Sequence, residues 1–185
     1  MPEPEQSQSQ FHRGRRKRSR GAELIEFTMV FLPFLAIITV LLDTCWAIFV
    51  KSSLQYAVRT GVRVGITLTT STVTGDLTST VKSIVKANSF GMLKDTSLIH
   101  VHYLQPPSPG STDAAADVST STNPPGNAPG NIMVVSVDNY SLPALIARIY
   151  NWKSVDKSAT NVTVVSADLI EPMNKDEIPP IGTAP

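Results

Sequence analysis

The chain has 185 residues, a formal net charge of +1 and one cysteine. This length has room for one long apolar helix and one small domain, and a single cysteine excludes a fold held together by internal disulfides. The small net charge conceals an asymmetry, because residues 1–21 hold six basic and two acidic side chains, whereas residues 22–185 hold ten and thirteen. Residues 22–185 alone therefore have a net charge of −3.

A basic arm precedes the apolar segment. Residues 1–11 are rich in Glu, Gln, Ser and Pro and are predicted to be disordered, and residues 12–20 contain six Lys and Arg side chains. Such a cluster would also suit nucleic-acid phosphates. A membrane-length segment follows it, however, so membrane topology explains it better and we expect no nucleic-acid partner. By the positive-inside rule, the arm stays in the cytoplasm and the C-terminal part lies outside.

The apolar segment is long enough to cross a lipid bilayer. Residues 27–42 carry no formal charge, and the run continues to Val50 with Asp43 as its one charged residue. At about 1.5 Å of rise per residue, residues 27–50 cover about 36 Å, against a hydrocarbon core about 30 Å thick. We therefore predict a transmembrane helix over residues 22–50, in which Pro33 bends or weakens one turn.

Two residues near the outer end of this segment need an interpretation. Asp43 is interpreted as a hydrated residue at the outer interface, with a contact to a helix of another subunit as the alternative. Cys45 is predicted to be a packed thiol, with an intermolecular disulfide as the alternative. An ordinary cleaved secretory signal is disfavoured, because the apolar run exceeds the usual length of about 7–15 residues and no small-x-small site closes it.

Glu26 lies where the apolar run begins. A carboxylate at the edge of a membrane is costly to desolvate, so it should either bind a proton or meet a cationic group. Cleavage between Gly21 and Ala22 would create an α-amino group at Ala22 and make Glu26 the fifth residue of the product. Glu26 could then pair with the Ala22 amine of a neighbouring, staggered subunit, which would fix the register of an assembly.

Two motifs resemble a known family. Gly21, four further residues and then Glu26-Phe27 before an apolar helix resemble the processing site of type IV prepilins. The stretch 53–65, SLQYAVRTGVRVG, is similar to the LQ-x-A-x-R-x-GAR pattern of TadE-like proteins, which are pseudopilins of tight-adherence (Tad, or Flp) pilus systems.

The resemblance implies a minor pilin that is cut after Gly21 by a prepilin peptidase in the bacterial inner membrane. Its implied partners are the peptidase, other pilus subunits, the inner-membrane assembly machinery and the lipid bilayer. It also implies that Pro33 is a point of local melting during assembly. Glu23 and Asp43 depart from the usual pattern, because they make this helix more polar than that of a typical pilin.

Beyond Val50 the pattern predicts an amphipathic stem helix over residues 51–68. Its dry face is predicted to contain Leu54, Ala57, Val58, Gly61, Val62, Gly65 and Ile66, and its wet face Lys51, Gln55, Arg59 and Arg63. Each glycine costs about 1 kcal/mol in helix propensity, so we expect either that a sheet or another helix packs closely there or that the helix ends before residue 68. Ala57, Arg59, Gly61, Arg63 and Gly65 are therefore candidate residues for packing or assembly.

The remaining residues predict a small head. Residues 69–104 should contain a helix that begins at the cap residue Asp76 and stops near 88–91, followed by a strand over 98–104. Residues 105–130 contain six prolines and are predicted to be a flexible loop. Two more strands are predicted within residues 131–170, at 132–138 and 161–169, with a short helix or apolar excursion at 142–150 and a loose tail over 171–185. The fold class is therefore α+β, with a pilin-like, mostly antiparallel sheet packed on the stem.

No arrangement of residues typical of an enzyme is found. His100 and His102 share one face of a predicted strand and could begin a metal site, but we interpret them as solvent-facing residues. We expect no catalytic activity and no cofactor. The alternative function is an uncleaved, signal-anchored binding or enzymatic domain on the outer face of the membrane.

Overall fold

The computed structural model describes residues 20–73, 75–142 and 160–182. Its elements in chain order are helix α1 (Arg20–Gly65), helix α2 (Leu77–Ala87), strands β1 (Ile99–Gln105), β2 (Ala116–Asp117), β3 (Ile132–Leu142) and β4 (Thr160–Leu169), and a 3-10 turn (Lys175–Glu177). A long apolar helix followed by a small antiparallel sheet confirms the predicted α+β class. The chain divides into two compact units, Met1–Val40 and Leu41–Pro185.

In the first unit, α1 exposes large apolar side chains around its whole circumference. Exposure reaches 76% at Met29, and Phe27 and Phe31 stack with their ring centres 5.3 Å apart. The helix includes Pro33 without ending there. Apolar surface of this extent requires a cover of lipid or protein, and the helix is long and apolar enough to cross a membrane.

In the second unit, α1 continues as an amphipathic helix whose faces match the predicted faces. Its buried residues are Val50, Ser53, Leu54, Ala57, Val58, Gly61, Val62, Gly65 and Ile66, and the exposed ones include Lys51, Gln55, Arg59 and Arg63. The helix ends at Gly65 and not at residue 68 as predicted. It ends there because the amide and the hydroxyl of Thr67 both donate to the carbonyl of Val64, at 3.1 and 2.9 Å.

Two glycines of α1 allow its backbone to come close to the rest of the head. A Cβ atom at Gly65 would lie 2.8 Å from both Met133 Sδ and Val81 Cγ2, and one at Gly61 would overlap Val85. Both distances are too short for ordinary carbon contacts. The stem, defined here as residues 50–66, therefore lies directly against α2 and β3.

Helix α2 is capped as its sequence predicts. The Asp76 carboxylate accepts a hydrogen bond from the amide of Ser79 at 2.8 Å, which satisfies one of the unpaired amides at the helix N-terminus. Its buried side chains are Leu77, Thr78, Val81 and Val85. Val81 lies near Gly65 and Val85 near Gly61, so α2 runs antiparallel to the stem.

The sheet has the strand order β2-β1-β3-β4, and each neighbouring pair is antiparallel. Side chains alternate across it, and the face that packs on the helices contains Ile99, Val101, Tyr103, Met133, Val135, Val137 and Val164. The three predicted strands are present. The two-residue strand β2, which pairs with the end of β1, was not predicted.

Residues 105–130 and the tail differ from the predicted flexible loop and loose end. Asn127 is 1% exposed, and its Nδ2 donates to the carbonyl of Pro179 at 2.7 Å. The amide of Leu77 donates to the carbonyl of Pro180 at 2.8 Å. These segments bury few apolar side chains, and hydrogen bonds of their polar groups hold them in place instead. Amino-acid composition does not indicate such hydrogen bonds. The predicted excursion at 142–150 lies, apart from Leu142, outside the described residues.

Tyr103 is the largest fully buried side chain of the core. Its hydroxyl lies 3.4 Å from Thr78 Oγ1, which links β1 to the first turn of α2. Burial raises the pKa of Tyr103 to about 12, because removal from water disfavours the phenolate more than the hydrogen bond from Thr78 stabilises it.

We predict that Gly61→Ala and Gly65→Ala each destabilise the head by up to about 2 kcal/mol. Overpacking against the stiff side chains of Val81 and Val85 costs about 1–3 kcal/mol, and the gain in helix propensity, about 1 kcal/mol, offsets part of this. Thermal unfolding of the detergent-solubilised chain measures the effect. Ser52→Ala, on the exposed side of the same helix, is the matched control and should be neutral or slightly stabilising. Stabilisation by both glycine variants would contradict the close approach.

A second prediction concerns alkaline pH. The phenol of an unfolded chain ionises near pH 10, whereas Tyr103 in the fold ionises at a pKa of about 12. The folded state should therefore lose stability as the pH rises from about 10 to about 12. Tyr103→Phe should make the free energy of unfolding, measured with denaturant, less dependent on pH in this window. Equal slopes for the wild type and Tyr103→Phe would refute this assignment.

Candidate functional site

The predicted processing site lies at the start of α1, which begins at Arg20. Gly21 and Glu26 are therefore both helical, and both are exposed. Around Glu26 the apolar side chains of Leu24, Ile25 and Phe27 are 64–68% exposed. Glu26 is therefore an exposed carboxylate among exposed apolar side chains, and its pairing with an amine of another subunit stays a prediction.

The other candidate residues of α1 have different environments. Pro33 lies inside the helix and is exposed, and Asp43, in the second unit, is half-buried. The prediction of a packed thiol at Cys45 is wrong, because this cysteine is exposed. The next residue, Trp46, packs against the head core, and a rotation of about 100° per residue therefore turns Cys45 away from that contact.

The structure divides the candidate residues of the stem into two groups. Ala57, Gly61 and Gly65 are buried against the head of the same subunit, so their small size serves internal packing. Arg59 and Arg63 are exposed on the other side of the helix, in line with Lys51 and Gln55 at steps of four residues. The second group is the part of the stem that another molecule could contact.

An exposed aromatic pair beside the stem was not found from the sequence. The rings of Tyr56 and Phe90 lie 6.2 Å apart and are 54% and 70% exposed. Phe90 has φ of +52°, a left-handed conformation that is uncommon for a bulky residue. No signal in the sequence brings residue 90 beside Tyr56.

The other end of the head has a groove of about 750 Å³. It lies between residues 119–129 and the tail 175–182, and its lining includes five prolines, several hydroxyl groups and the amine of Lys175. General acid–base or nucleophilic catalysis needs a reactive side chain in contact with a second group that activates it. The lining of this groove contains hydroxyl groups but no such pair.

The imidazole of His102 lies beside a carboxylate of the neighbouring strand. Its Nδ1 lies 3.3 Å from Asp117 Oδ2, which joins β1 to β2. Hydrogen bonds from the hydroxyl and the amide of Ser119 hold the pKa of Asp117 below its ordinary value. Within residues 20–73, 75–142 and 160–182, no group of three or more His, Cys, Asp and Glu side chains is placed to hold a metal ion. His100 and His102 are half-buried on the sheet face opposite the core.

The family model described as TadE-like protein matches residues 21–63. No curated protein and no solved structure matches this chain. The matched region begins at Gly21, includes the whole apolar segment and ends within the stem at Arg63. Residues 21–63 of this chain are thus similar to the TadE-like family, as the motifs at Gly21–Phe27 and 53–65 predicted.

Proposed function

We propose that this protein is a minor pilin, or pseudopilin, that takes part in the biogenesis of a tight-adherence type IV pilus. The observation that carries the proposal is the TadE-like match over residues 21–63. That match suggests a role associated with the Tad pilus. The proposal adds cleavage after Gly21 by a prepilin peptidase, a place in the inner membrane with the head outside the cytoplasm, and contact with other pilus subunits and the assembly machinery.

The position of the match supports cleavage. It begins at Gly21, the predicted last residue of the leader, and so excludes the basic arm. A leader that is removed after insertion would set the orientation of the chain and then have no further function. Its removal would also change residues 1–185 with net charge +1 into a product with net charge −3.

The environment of Glu26 supports assembly. The residue is exposed among apolar side chains, and within one helix it cannot easily reach the amine at Ala22. In the proposal, Glu26 of one subunit pairs with the Ala22 amine of a staggered neighbour, and both charges are neutralised in the membrane. The exposed arginines Arg59 and Arg63 provide a second surface for contact between subunits.

The role that we propose is structural. The alternative, an uncleaved signal-anchored domain, would retain residues 1–21 and would not need Glu26.

We predict that Glu26→Ala abolishes pilus assembly but leaves the protein inserted in the membrane. The variant loses the carboxylate that neutralises the amine of the neighbouring subunit, while the apolar helix that drives insertion is unchanged. Piliation is counted by electron microscopy, and insertion is measured by resistance to carbonate extraction. Glu23→Ala, which removes a carboxylate one turn earlier, is the matched control and should assemble.

The same strains also test processing. Intact mass of the membrane-extracted protein should correspond to a chain that starts at Ala22, and this start should depend on the prepilin peptidase of the host. Normal piliation by Glu26→Ala would exclude the charge pairing. A start at Met1 or Pro2 in the presence of the peptidase would favour the signal-anchored alternative.

A further inference from the structure

We propose that the Tyr56–Phe90 surface, defined by Tyr56, Phe90 and the cations around them, binds the anionic headgroup layer of the bilayer that holds α1. The head would then be seated on the membrane by a second contact besides its helix. This inference rests on the membrane anchoring in the proposed function and goes beyond it, since a minor pilin needs only its helix to be anchored.

The first observation is that an exposed apolar stripe continues from the anchor onto the head. Within the second unit, Leu41, Leu42, Ile48 and Phe49 are 51–61% exposed. Tyr56 follows Phe49 by seven residues, which places it two turns further along and within about 20° of the same face. Phe90 extends this stripe sideways, with its ring 6.2 Å from that of Tyr56.

The second observation is the distance from the hydrocarbon. Two turns of helix correspond to about 10 Å, and the headgroup region is about 5–8 Å thick on each side. Helical side chains point toward the N-terminus of their helix, so the ring of Tyr56 is directed back toward Phe49. With Phe49 at the edge of the hydrocarbon, the ring of Tyr56 lies at the outer boundary of the headgroup layer, where Tyr and Trp are enriched in membrane proteins, and the ring of Phe90 lies 6.2 Å from that of Tyr56.

The third observation is charge. Residues 51–59 and 86–95 contain Lys51, Arg59, Lys86 and Lys94, all exposed, and one carboxylate, Asp95. These two segments are therefore cationic, although residues 22–185 together have a net charge of −3. Basic side chains next to a membrane helix are attracted to anionic lipid, so the partner that best fits the charge is the bilayer surface.

The fourth observation is the strained backbone at Phe90. Its φ of +52° would suit glycine, yet the position holds a bulky ring that is 70% exposed. A ring that is mostly in water and strains its own backbone contributes little to the core. A contact with lipid would use the ring in the orientation that the turn gives it.

The location of the surface is measured in the full chain after reconstitution into vesicles. In a Cys45→Ser background, a fluorophore is attached at Phe90→Cys or Tyr56→Cys, at Thr120→Cys on the loop after β2, and at Leu35→Cys in the first unit. The vesicles contain phosphatidylcholine with or without phosphatidylglycerol, and carry a nitroxide quencher either on the headgroup or on the acyl chain. Each sample is prepared at low and at high protein density.

We expect the headgroup quencher to quench the probes at Phe90 and Tyr56 several-fold more than the probe at Thr120, at both densities and more strongly with phosphatidylglycerol. Lys86→Gln with Lys94→Gln should reduce this preference for anionic lipid, whereas Lys175→Gln, at an exposed cation of the 3-10 turn, should not. Equal quenching at Phe90 and Thr120 would overturn the inference. Iodide in solution serves as a second quencher. If the probe at Phe90 is protected from iodide only at high protein density, the inference is also overturned, and the result indicates contact between subunits.

The probe at Leu35 distinguishes failure of this inference from failure of the proposed function. If the acyl-chain quencher acts at Leu35 and the headgroup quencher does not act at Phe90, the anchor is intact and the lipid-contacting surface is rejected. If neither probe is quenched, the helix does not insert, and both the lipid-contacting surface and the proposed function are rejected.

A second variant separates lipid binding from a role in folding. Phe90→Gly relieves the left-handed backbone and should raise the unfolding temperature of the head, while the quenching of the probe at Tyr56 falls. A lower unfolding temperature with unchanged quenching at Tyr56 would show that Phe90 serves the fold alone, and would contradict the proposal.

Discussion

The stem can lie close to the rest of the head because two of its residues, Gly61 and Gly65, have no side chain. At Gly61 and Gly65 a Cβ atom would meet Val85, Val81 and Met133 at less than normal contact distance. The glycines weaken α1 as an isolated helix, and burial of the valines and of Met133 offsets that loss. Because α1 also contains the apolar segment, one helix contributes to both units. The head therefore has no complete core without the last third of its own anchor helix.

Much of this fold could be predicted from patterns in the amino-acid sequence. The period of the stem predicts its buried and exposed faces, and Asp76 predicts the start of α2. The three longer strands follow from runs of apolar and β-branched residues. Strand β2 has two residues, and its pairing depends on Asp117, Ser119 and His102, which come together only in the fold. Likewise, Asn127 becomes buried through Pro179, a residue 52 positions later, and composition alone predicted a flexible loop.

The candidate functional residues show the same limit. Glu26, Arg59 and Arg63 are exposed, as charged residues on a helix surface are expected to be, and their positions could be read from the sequence. The sequence did not separate small residues that pack within the subunit, at Gly61 and Gly65, from residues available to a second molecule. It also did not show Phe90 beside Tyr56, since that contact depends on α2 running antiparallel to the stem. The surface that a partner or a membrane can reach is therefore a product of tertiary structure.

Hydrogen exchange of the detergent-solubilised full chain tests most directly whether the stem belongs to the head core. The amides of residues 54–65 and those of β3 at residues 133–137 should open with the same free energy, because the two elements share one core and unfold together. Gly65→Ala should accelerate both by the same factor. Fast exchange in the stem with continued protection in β3, or acceleration of one element alone, would show that the stem is a separate helix and would contradict this account of the fold.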